Sequence, residues 1–264
     1  MKTTPTSCSN EATAWFRLLF LFCLFRVAPC KTEQHRKHTI IRSIFKFGDS
    51  FSVTGNALRL SPELSDGLVI LDYIAKSLGL KSPSPYMDHM VKSNSKGANF
   101  TVADVTALSS ETLRKRWNIS LSFANATLGV QLQWFRRYLS QTHPKKDHQA
   151  EMLKSSLMSI EIGGNDYTLF LLKVESSTHY VHEETIPFSA FIEEARKSLL
   201  PVVINKIIDA IKEVVSKGAR QVFVHGLYPY GCTPSLLTCL PKVYKNLTYD
   251  KLGRLEEVNI REKQ

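Results

Sequence analysis

The chain alternates short runs of consecutive apolar residues with longer stretches in which apolar residues recur every three or four positions. The short runs predict buried strands, and the longer stretches predict helices with one buried face. The predicted strands are Ile40–Phe47, Ala98–Ala103, Leu157–Ile162 and Gln221–His225. The predicted helices are Leu68–Leu80, Thr127–Ser140 and a long helical region, Phe191–Val214, which Pro201 interrupts and Gly218 stops. This alternation predicts an α/β domain with a mostly parallel sheet and helices on both faces.

Two of the predicted strands run into turns that carry polar side chains. The first turn is Gly48-Asp49-Ser50, and the second is Gly163-Gly164-Asn165-Asp166. Ligands on parallel sheets bind beyond the carboxyl ends of the strands, so Ser50 and Asn165 are expected to face one cleft. Helix-start amides beside Ser50 would stabilise negative charge there. The simpler alternatives are that Ser50 only caps a helix and that Asn165 is a turn residue with a positive φ.

The two turns resemble the Gly-Asp-Ser nucleophile motif and the Gly-x-Asn-Asp block of the plant GDSL esterase/lipases, a branch of the SGNH hydrolases. The similarity runs from about Ile41 to the last residue. Further matching segments are Ser65–Gly67, Leu71–Ala75, Leu78–Leu80, Pro83–Tyr86, Gly97–Phe100 and Tyr228–Pro234. The resemblance implies the flavodoxin-like three-layer SGNH hydrolase fold with its C-terminal part missing, and one such domain over residues 31–264.

The resemblance also implies the chemistry of a serine ester hydrolase. Ser50 is the expected nucleophile, and Asn165 is expected to donate its side-chain amide to the oxyanion hole. Asp49 is expected to brace the turn by hydrogen bonds. The implied substrates are small-molecule or lipid acyl esters, including cell-wall and phenolic esters. No cofactor and no metal are implied.

Three departures from the family pattern argue against full activity. Asp104 stands where the family has a glycine whose amide is the third oxyanion donor, and its side chain is expected to crowd the hole. Val53 replaces an aspartate, which is a milder change. None of the eight histidines has an aspartate three residues before it, so the family's Asp-x-x-His block, with its catalytic base, has no counterpart here. His225 is the conceivable substitute, although a histidine with an ordinary structural role is the simpler interpretation.

Three functional hypotheses follow from these observations. The first is a GDSL-type esterase that is impaired as written, because a serine nucleophile without a base loses several orders of magnitude in rate. The alternative is a non-catalytic secreted protein that binds a ligand or glycan in the same cleft. A flavodoxin-like phosphate site is the weakest interpretation, since no Gly-rich phosphate loop followed by a lysine is present.

The amino terminus predicts a secretory signal peptide over residues 1–30. The apolar run 14–25 is shorter than the roughly 20 residues of a membrane span, and small residues precede Cys30. Cleavage would leave the chain extracellular, in the apoplast or cell wall, with no stable membrane span. It would remove three basic residues and one acidic residue, so the net charge would fall from +10 to +8. The basic residues are scattered, which predicts no nucleic-acid partner.

Secretion would also expose the chain to glycosylation and to an oxidising environment. Four Asn-x-Ser/Thr sequons are candidate glycan sites: Asn99, Asn118, Asn125 and Asn246. Asn99 is doubtful because it lies in a predicted strand. Two cysteines remain after residue 30, Cys232 and Cys239, and whether they form a disulfide is left open by the sequence.

Overall fold

The structure, a computed structural model, describes residues 40–53, 56, 67–87, 97–120, 126–176, 187–244 and 246–258. In these residues four parallel strands form one sheet in the order β2-β1-β3-β4. The strands are β1 (Ser43–Gly48), β2 (Gly97–Asn99), β3 (Ser156–Glu161) and β4 (Gln221–Val224). This is the start of the flavodoxin-like order 2-1-3-4-5. The predicted α/β fold of the SGNH hydrolases is confirmed.

The connections between the strands are largely helical, as right-handed parallel crossovers require. The α-helices are α1 (Ile70–Ser77), α2 (Ser110–Trp117), α3 (Leu128–Thr142), α4 (Lys146–Lys154), α5 (Gly164–Ser176), α6 (Phe188–Glu194), α7 (Leu200–Ser216) and α8 (Pro234–Val243). A π-helical turn joins α6 to α7, and two short 3-10 helices occur in loops. These segments are Ala195–Leu199, Ser50–Ser52 and Tyr230–Cys232.

Successive residues of β1 point to opposite faces of the sheet, and both faces are covered. Phe45 and Phe47 lie on one face, where their rings meet Phe135 of α3 edge to face at centroid distances of 5.4 and 5.5 Å. Ile44 lies on the other face and packs with Leu71 of α1 in a smaller cluster. Because all three β1 side chains are completely buried, the strand sits at the centre of a three-layer arrangement.

The long helical region after Phe191 is continuous rather than broken at Pro201. The proline occupies the first turn of α7, where its missing N–H removes no intrahelical hydrogen bond. The irregularity lies one step earlier, in the π-helical turn. The region stops at Gly218 as expected, with φ of +115°. Helices α2, α4, α5 and α8 were absent from the sequence expectations.

Strand β2 is shorter than the predicted Ala98–Ala103. The regular strand ends at Asn99, although Phe100 N–H and Val102 N–H still donate to the Lys46 and Gly48 carbonyls of β1 at 2.8 and 3.3 Å. On the other side of this segment, the Asn56 side chain donates to the carbonyls of Asn99 (2.6 Å) and Thr101 (3.0 Å). The Asn99 side chain is fully buried and donates to the carbonyl of Ser52 at 3.0 Å. Asn99 is therefore not accessible as a glycan site in the folded protein.

Several other sequence expectations concern surface features. Asn118 and Asn246 are exposed, whereas the Asn125 sequon and the signal-peptide region 1–30 lie outside the described residues. Cys232 and Cys239 do not form a disulfide with each other in this structure. Among the described helices, none has both the length and the apolar character needed to cross a bilayer.

Candidate active site

The turn that carries Ser50 follows β1 directly and is capped by Asp49. The Asp49 carboxylate accepts a hydrogen bond from the backbone N–H of Phe51 at 3.3 Å, and the Asp49 carbonyl accepts one from Ser52 N–H at 3.1 Å. The expected bracing role of Asp49 is thus confirmed. Because Asp49 is the cap, the alternative that Ser50 caps the helix is wrong. Ser50 is half-buried, and its hydroxyl makes no hydrogen bond to another described residue.

A second brace comes from Gln131 on the buried face of α3. Its amide oxygen accepts from Gly48 N–H at 2.9 Å, and its amide nitrogen donates to Gly48 C=O at 2.8 Å. Both backbone groups at the end of β1 are therefore satisfied by one fully buried side chain. Sequence reasoning missed Gln131. The available signal was a polar residue at a core position of the α3 stripe, between Leu128 and Phe135.

The turn that carries Asn165 follows β3 and depends on two glycines. Gly163 has φ of +108°, and a Cβ on Gly164 would lie 2.4 Å from the Tyr230 hydroxyl oxygen. Asn165 itself has no positive φ and sits in the first turn of α5, so the alternative role as a left-handed turn residue is wrong. Its side-chain amide donates to the Val105 carbonyl at 2.9 Å.

The two turns meet at the carboxyl edge of the sheet. β1 and β3 are neighbours in parallel register, with Gly48 opposite Glu161. A Cβ on Gly164 would lie 3.8 Å from a carboxylate oxygen of Asp49, so the Asp49 side chain lies against the Gly164 backbone. Ser50 directly follows Asp49 in the chain, and Asn165 directly follows Gly164. The strand order reverses between β1 and β3, which is where doubly wound sheets bind ligands.

The segment after β2 closes the third side of this edge. Asp166 is fully buried, and its carboxylate accepts the N–H groups of Ala107 (2.8 Å) and Leu108 (3.0 Å). Burial raises the pKa of Asp166 to about 7, against the lowering effect of these two donors. Asp104, in the same segment, is exposed and adopts φ of +57°, a conformation that favours glycine.

A buried cluster of charged groups lies beneath the Ser50 turn. Lys46 is completely buried in β1, and the Ser52 hydroxyl donates to a carboxylate oxygen of Glu161 at 3.0 Å. Burial and the nearby Glu161 carboxylate raise the pKa of Asp49 to about 8. Burial also raises the pKa of Glu161 and lowers that of Lys46 to about 8. The Asp49 and Glu161 carboxyls therefore lie close enough to affect each other's ionisation next to the Ser50 turn.

His225 belongs to this cluster and is already bonded. Its Nε2 atom lies 2.8 Å from the Ser159 hydroxyl and 3.3 Å from Lys46 Nζ. Burial and the Lys46 charge lower the pKa of His225 to about 4, so the ring is neutral at pH 7. The ordinary structural interpretation of His225 is confirmed. Sequence reasoning missed Lys46 and Glu161, although a lysine inside an apolar strand was a visible signal.

A cavity of about 300 Å³ borders the same edge. Three tyrosines line it, and one of them, Tyr228, packs against Phe51 with ring centroids 4.8 Å apart. The described residues contain no group of three or more histidine, cysteine, aspartate or glutamate side chains arranged to hold a metal ion. The site is therefore built from hydroxyl, amide and carboxyl groups around an apolar space.

Comparison with known proteins gives this arrangement a family. The sequence profile of the GDSL-like lipase/acylhydrolase family matches residues 44–261. A GDSL esterase/lipase of Arabidopsis thaliana is 30% identical over 246 residues, which cover 83% of this chain and 62% of the relative. Acetylajmalan esterase of Rauvolfia serpentina is 31% identical over 240 residues, covering 82% and 57%.

Another GDSL esterase/lipase of Arabidopsis thaliana is 34% identical over 221 residues, covering 75% of this chain and 52% of the relative. The chain thus spans about three fifths of the length of the first curated relatives it matches. The family profile covers most of the chain, including both turns at the carboxyl edge of the sheet. The chain belongs to the GDSL-like lipase/acylhydrolase family.

Proposed function

We propose that this protein is a secreted serine ester hydrolase of the GDSL type that acts on acyl esters of lipid, cell-wall or phenolic compounds. The observation that supports this most directly is the near contact of the Ser50 and Asn165 turns at the strand-order switch point. One turn supplies a hydroxyl and the other a carboxamide, which are two of the groups that acyl transfer needs.

In the proposed reaction the Ser50 oxygen attacks the carbonyl carbon of the ester. The alcohol leaves with a proton, and water then hydrolyses the acyl-serine to release the acid and regenerate the hydroxyl. An amide side chain has two N–H donors, and the contact with Val105 uses one of them. The second N–H of Asn165 is the donor we assign to the oxyanion.

The weak point of the proposed reaction is the base that removes the serine proton. Three histidines are described: His143 pairs with the Thr142 hydroxyl, His225 pairs with Ser159, and His148 is exposed on α4. Among the described contacts, no hydrogen bond joins any of them to Ser50. No histidine in the 264 residues follows an aspartate at the family's spacing. We therefore propose that turnover by this chain is slow, with the oxyanion hole and binding supplying the residual rate.

Hydrolysis of 4-nitrophenyl acetate by purified protein tests this proposal. We expect slow release of 4-nitrophenol that Ser50→Ala abolishes and that Asn165→Ala lowers by about 100- to 1,000-fold if the amide stabilises the oxyanion. Ser140→Ala, at an exposed serine of α3, is the matched control and should leave the rate unchanged. Hydrolysis that persists at full rate in Ser50→Ala would reject the nucleophile assignment.

A non-catalytic ligand- or glycan-binding protein is the second candidate. The observation that favours it is the Ser50 hydroxyl, which has no hydrogen-bonded base among the described residues, beside an open cavity. This candidate predicts no Ser50-dependent release of 4-nitrophenol, together with a ligand-induced rise in melting temperature. Ser50-dependent turnover would exclude it.

Secretion is a separate part of the proposal. It is supported by the apolar run 14–25 before Cys30 and by the exposed sequons at Asn118 and Asn246. Expression of the chain with a C-terminal tag in plant cells should yield extracellular protein that begins near residue 31 and shifts in mobility after glycan removal. Tagged protein that stays in the cytosol and still begins at Met1 would refute the proposed secretion.

A further inference from the structure

Three tyrosines in the wall of the cavity connect it to both turns of the candidate site. Tyr228 contacts Phe51, the residue after Ser50. Tyr230 closely approaches Gly164, the residue before Asn165. Tyr167 lines the cavity from α5, two residues beyond Asn165. A group bound in this space would therefore contact side chains that pack directly against the two turns.

The lining of the cavity is largely aromatic and aliphatic. Tyr228 and Tyr230 are stacked, with ring centroids 4.6 Å apart and planes 21° apart, and Pro229 lies between them in sequence. Arg254 is the one charged residue among the described residues that line the cavity, and its Nε donates to Asp250 at 2.5 Å, so its guanidinium is held in place. Aromatic faces and a fixed guanidinium both favour a flat, conjugated ligand over a flexible chain.

The volume of the cavity limits the size of that ligand. About 300 Å³ is near the lower end of small-molecule sites. At roughly 30 Å³ for each water of liquid volume, it corresponds to about ten non-hydrogen atoms. That is the size of one aromatic ring with a short side chain, and roughly half that of a long fatty acyl group.

The backbone keeps this space open. Ala195 lines the cavity and is the first residue of the π-helical turn between α6 and α7. A π turn is wider than an α turn and is often found at functional sites. The small side chain of Ala195 leaves room that a longer one would fill, since it is already buried.

We propose that this cavity binds the acyl part of the ester and selects aromatic acyl groups of about ten non-hydrogen atoms, of the cinnamoyl class, over long aliphatic ones. The inference rests on the proposed esterase function, because the cavity is assigned to the group that Ser50 would accept. It adds a binding site and a substrate class to that function.

Binding of free acids to the Ser50→Ala protein tests the inference without turnover. Isothermal titration with trans-cinnamate, octanoate and palmitate compares an aromatic acid with a similarly sized and a long aliphatic acid. We expect trans-cinnamate to bind about tenfold more tightly than either aliphatic acid. Tighter binding of octanoate or palmitate, or no binding of any acid, would overturn the proposed selectivity.

A filled cavity provides the decisive variant. Ala195→Met should weaken binding of trans-cinnamate by tenfold or more, because the new side chain occupies the ligand's space. Ala190→Met, on the exposed side of α6, is the matched control and should bind like the parent. If Ala195→Met loses its cooperative melting transition, Leu227→Trp at the half-exposed rim of the cavity replaces it. Unchanged binding in the filled variant would place the ligand elsewhere.

The failure of this inference can be told from the failure of the proposed function. Ser50-dependent hydrolysis of 4-nitrophenyl esters reports the function, and acid binding to Ser50→Ala reports the cavity. Equal Ser50-dependent hydrolysis of 4-nitrophenyl cinnamate and 4-nitrophenyl palmitate would preserve the function and overturn the cavity assignment. Binding of trans-cinnamate that Ala195→Met abolishes, with no Ser50-dependent hydrolysis, would support the cavity as a binding site and reject catalysis.

Discussion

Strand β1 and strand β4 lie in the same sheet, but their environments differ sharply. All six residues of β1 are buried, and two neighbouring strands pair with it. β4 has one neighbour among the described strands, and its Phe223 and Val224 remain 45% and 42% exposed. The candidate site grows from the buried strand. The candidate site, which depends on fixed geometry, therefore lies next to the strand that is completely buried. We expect local unfolding of β4 to cost less free energy than local unfolding of β1.

The largest test of this contrast compares two phenylalanines. Phe47→Ala should lower the free energy of unfolding by about 3–5 kcal/mol, because it removes a fully buried ring from the aromatic cluster around Phe135. Phe223→Ala in β4 should cost less than about 1 kcal/mol. Urea unfolding of both variants measures the difference. Similar losses would mean that β4 is as well packed as β1.

The next largest test removes the brace at the end of β1. Gln131→Ala leaves the buried Gly48 N–H without its partner and leaves the Gly48 carbonyl only the longer bond from Val102 N–H, so we expect a loss of about 1–3 kcal/mol in unfolding free energy. Gln133→Ala, on the exposed side of the same helix, is the matched control and should be neutral within about 0.5 kcal/mol. A neutral Gln131→Ala would show that the turn keeps its shape without this hydrogen-bond pair.

The buried carboxyl pair should make stability depend on pH. The pKa of Asp49 is raised to about 8 in the folded protein, so the folded state holds a proton that the unfolded state has lost above about pH 4. The contribution of Asp49 is therefore present at low pH and is lost as pH rises towards 8. Between pH 6 and pH 7, Asp49 should lower the free energy of unfolding by about 1 kcal/mol. This is slightly less than the largest change per pH unit that one proton can cause.

Asp49→Asn isolates this contribution, since Asp166 and Glu161 also have raised pKa values and act in the same direction. We expect the variant to show a smaller fall in unfolding free energy from pH 5 to pH 8 than the parent. Lys46, whose pKa is lowered to about 8, adds a slope of opposite sign only above that pH. Parallel pH profiles for parent and variant would argue that Asp49 is ionised in the fold.

The smallest effect concerns the left-handed residue near the site. Asp104→Gly should raise the unfolding free energy by about 0.5–1 kcal/mol, because φ of +57° costs glycine less than it costs aspartate. Asn118→Gly, at φ of +53°, should change it less, since asparagine tolerates this conformation. Thermal melting measures both. A destabilised Asp104→Gly would mean that its side chain contributes more than the conformation costs.

The main architecture was predictable because the periodic signals were strong. The apolar runs of β1 and β3 and the apolar stripe of α3 are long enough to predict a strand or a helix from the local pattern alone. The two polar turns come directly after these two strands in the sequence. Helix α4 escaped prediction because it buries one apolar side chain, Leu153, and its other residues are polar or half-exposed. Helix α2 buries only Leu113 and Trp117, which is too weak a pattern to recognise.

The candidate site was only partly predictable, for a different reason. Ser50 and Asn165 stand in recognisable turns, so their neighbourhood follows from the strand ends alone. Gln131 and the charged cluster depend on parallel register, which joins residues that are distant in sequence and carry no shared local pattern. The aromatic cavity likewise combines α5, the π turn and the loop after β4, and no single segment reveals it.

The parts of the candidate site are far apart in sequence, which affects when the site can form during synthesis and folding. The hydrogen bond between Gly48 and Gln131 joins residues 83 positions apart. The hydrogen bond between the Ser43 and Ser156 hydroxyls can form only after a still longer segment has been synthesised. The segment that carries Ser50 is therefore synthesised early, and its long-range contacts form only after later segments have been made. During synthesis, Ser50 is therefore present long before the residues that fix its position have been made.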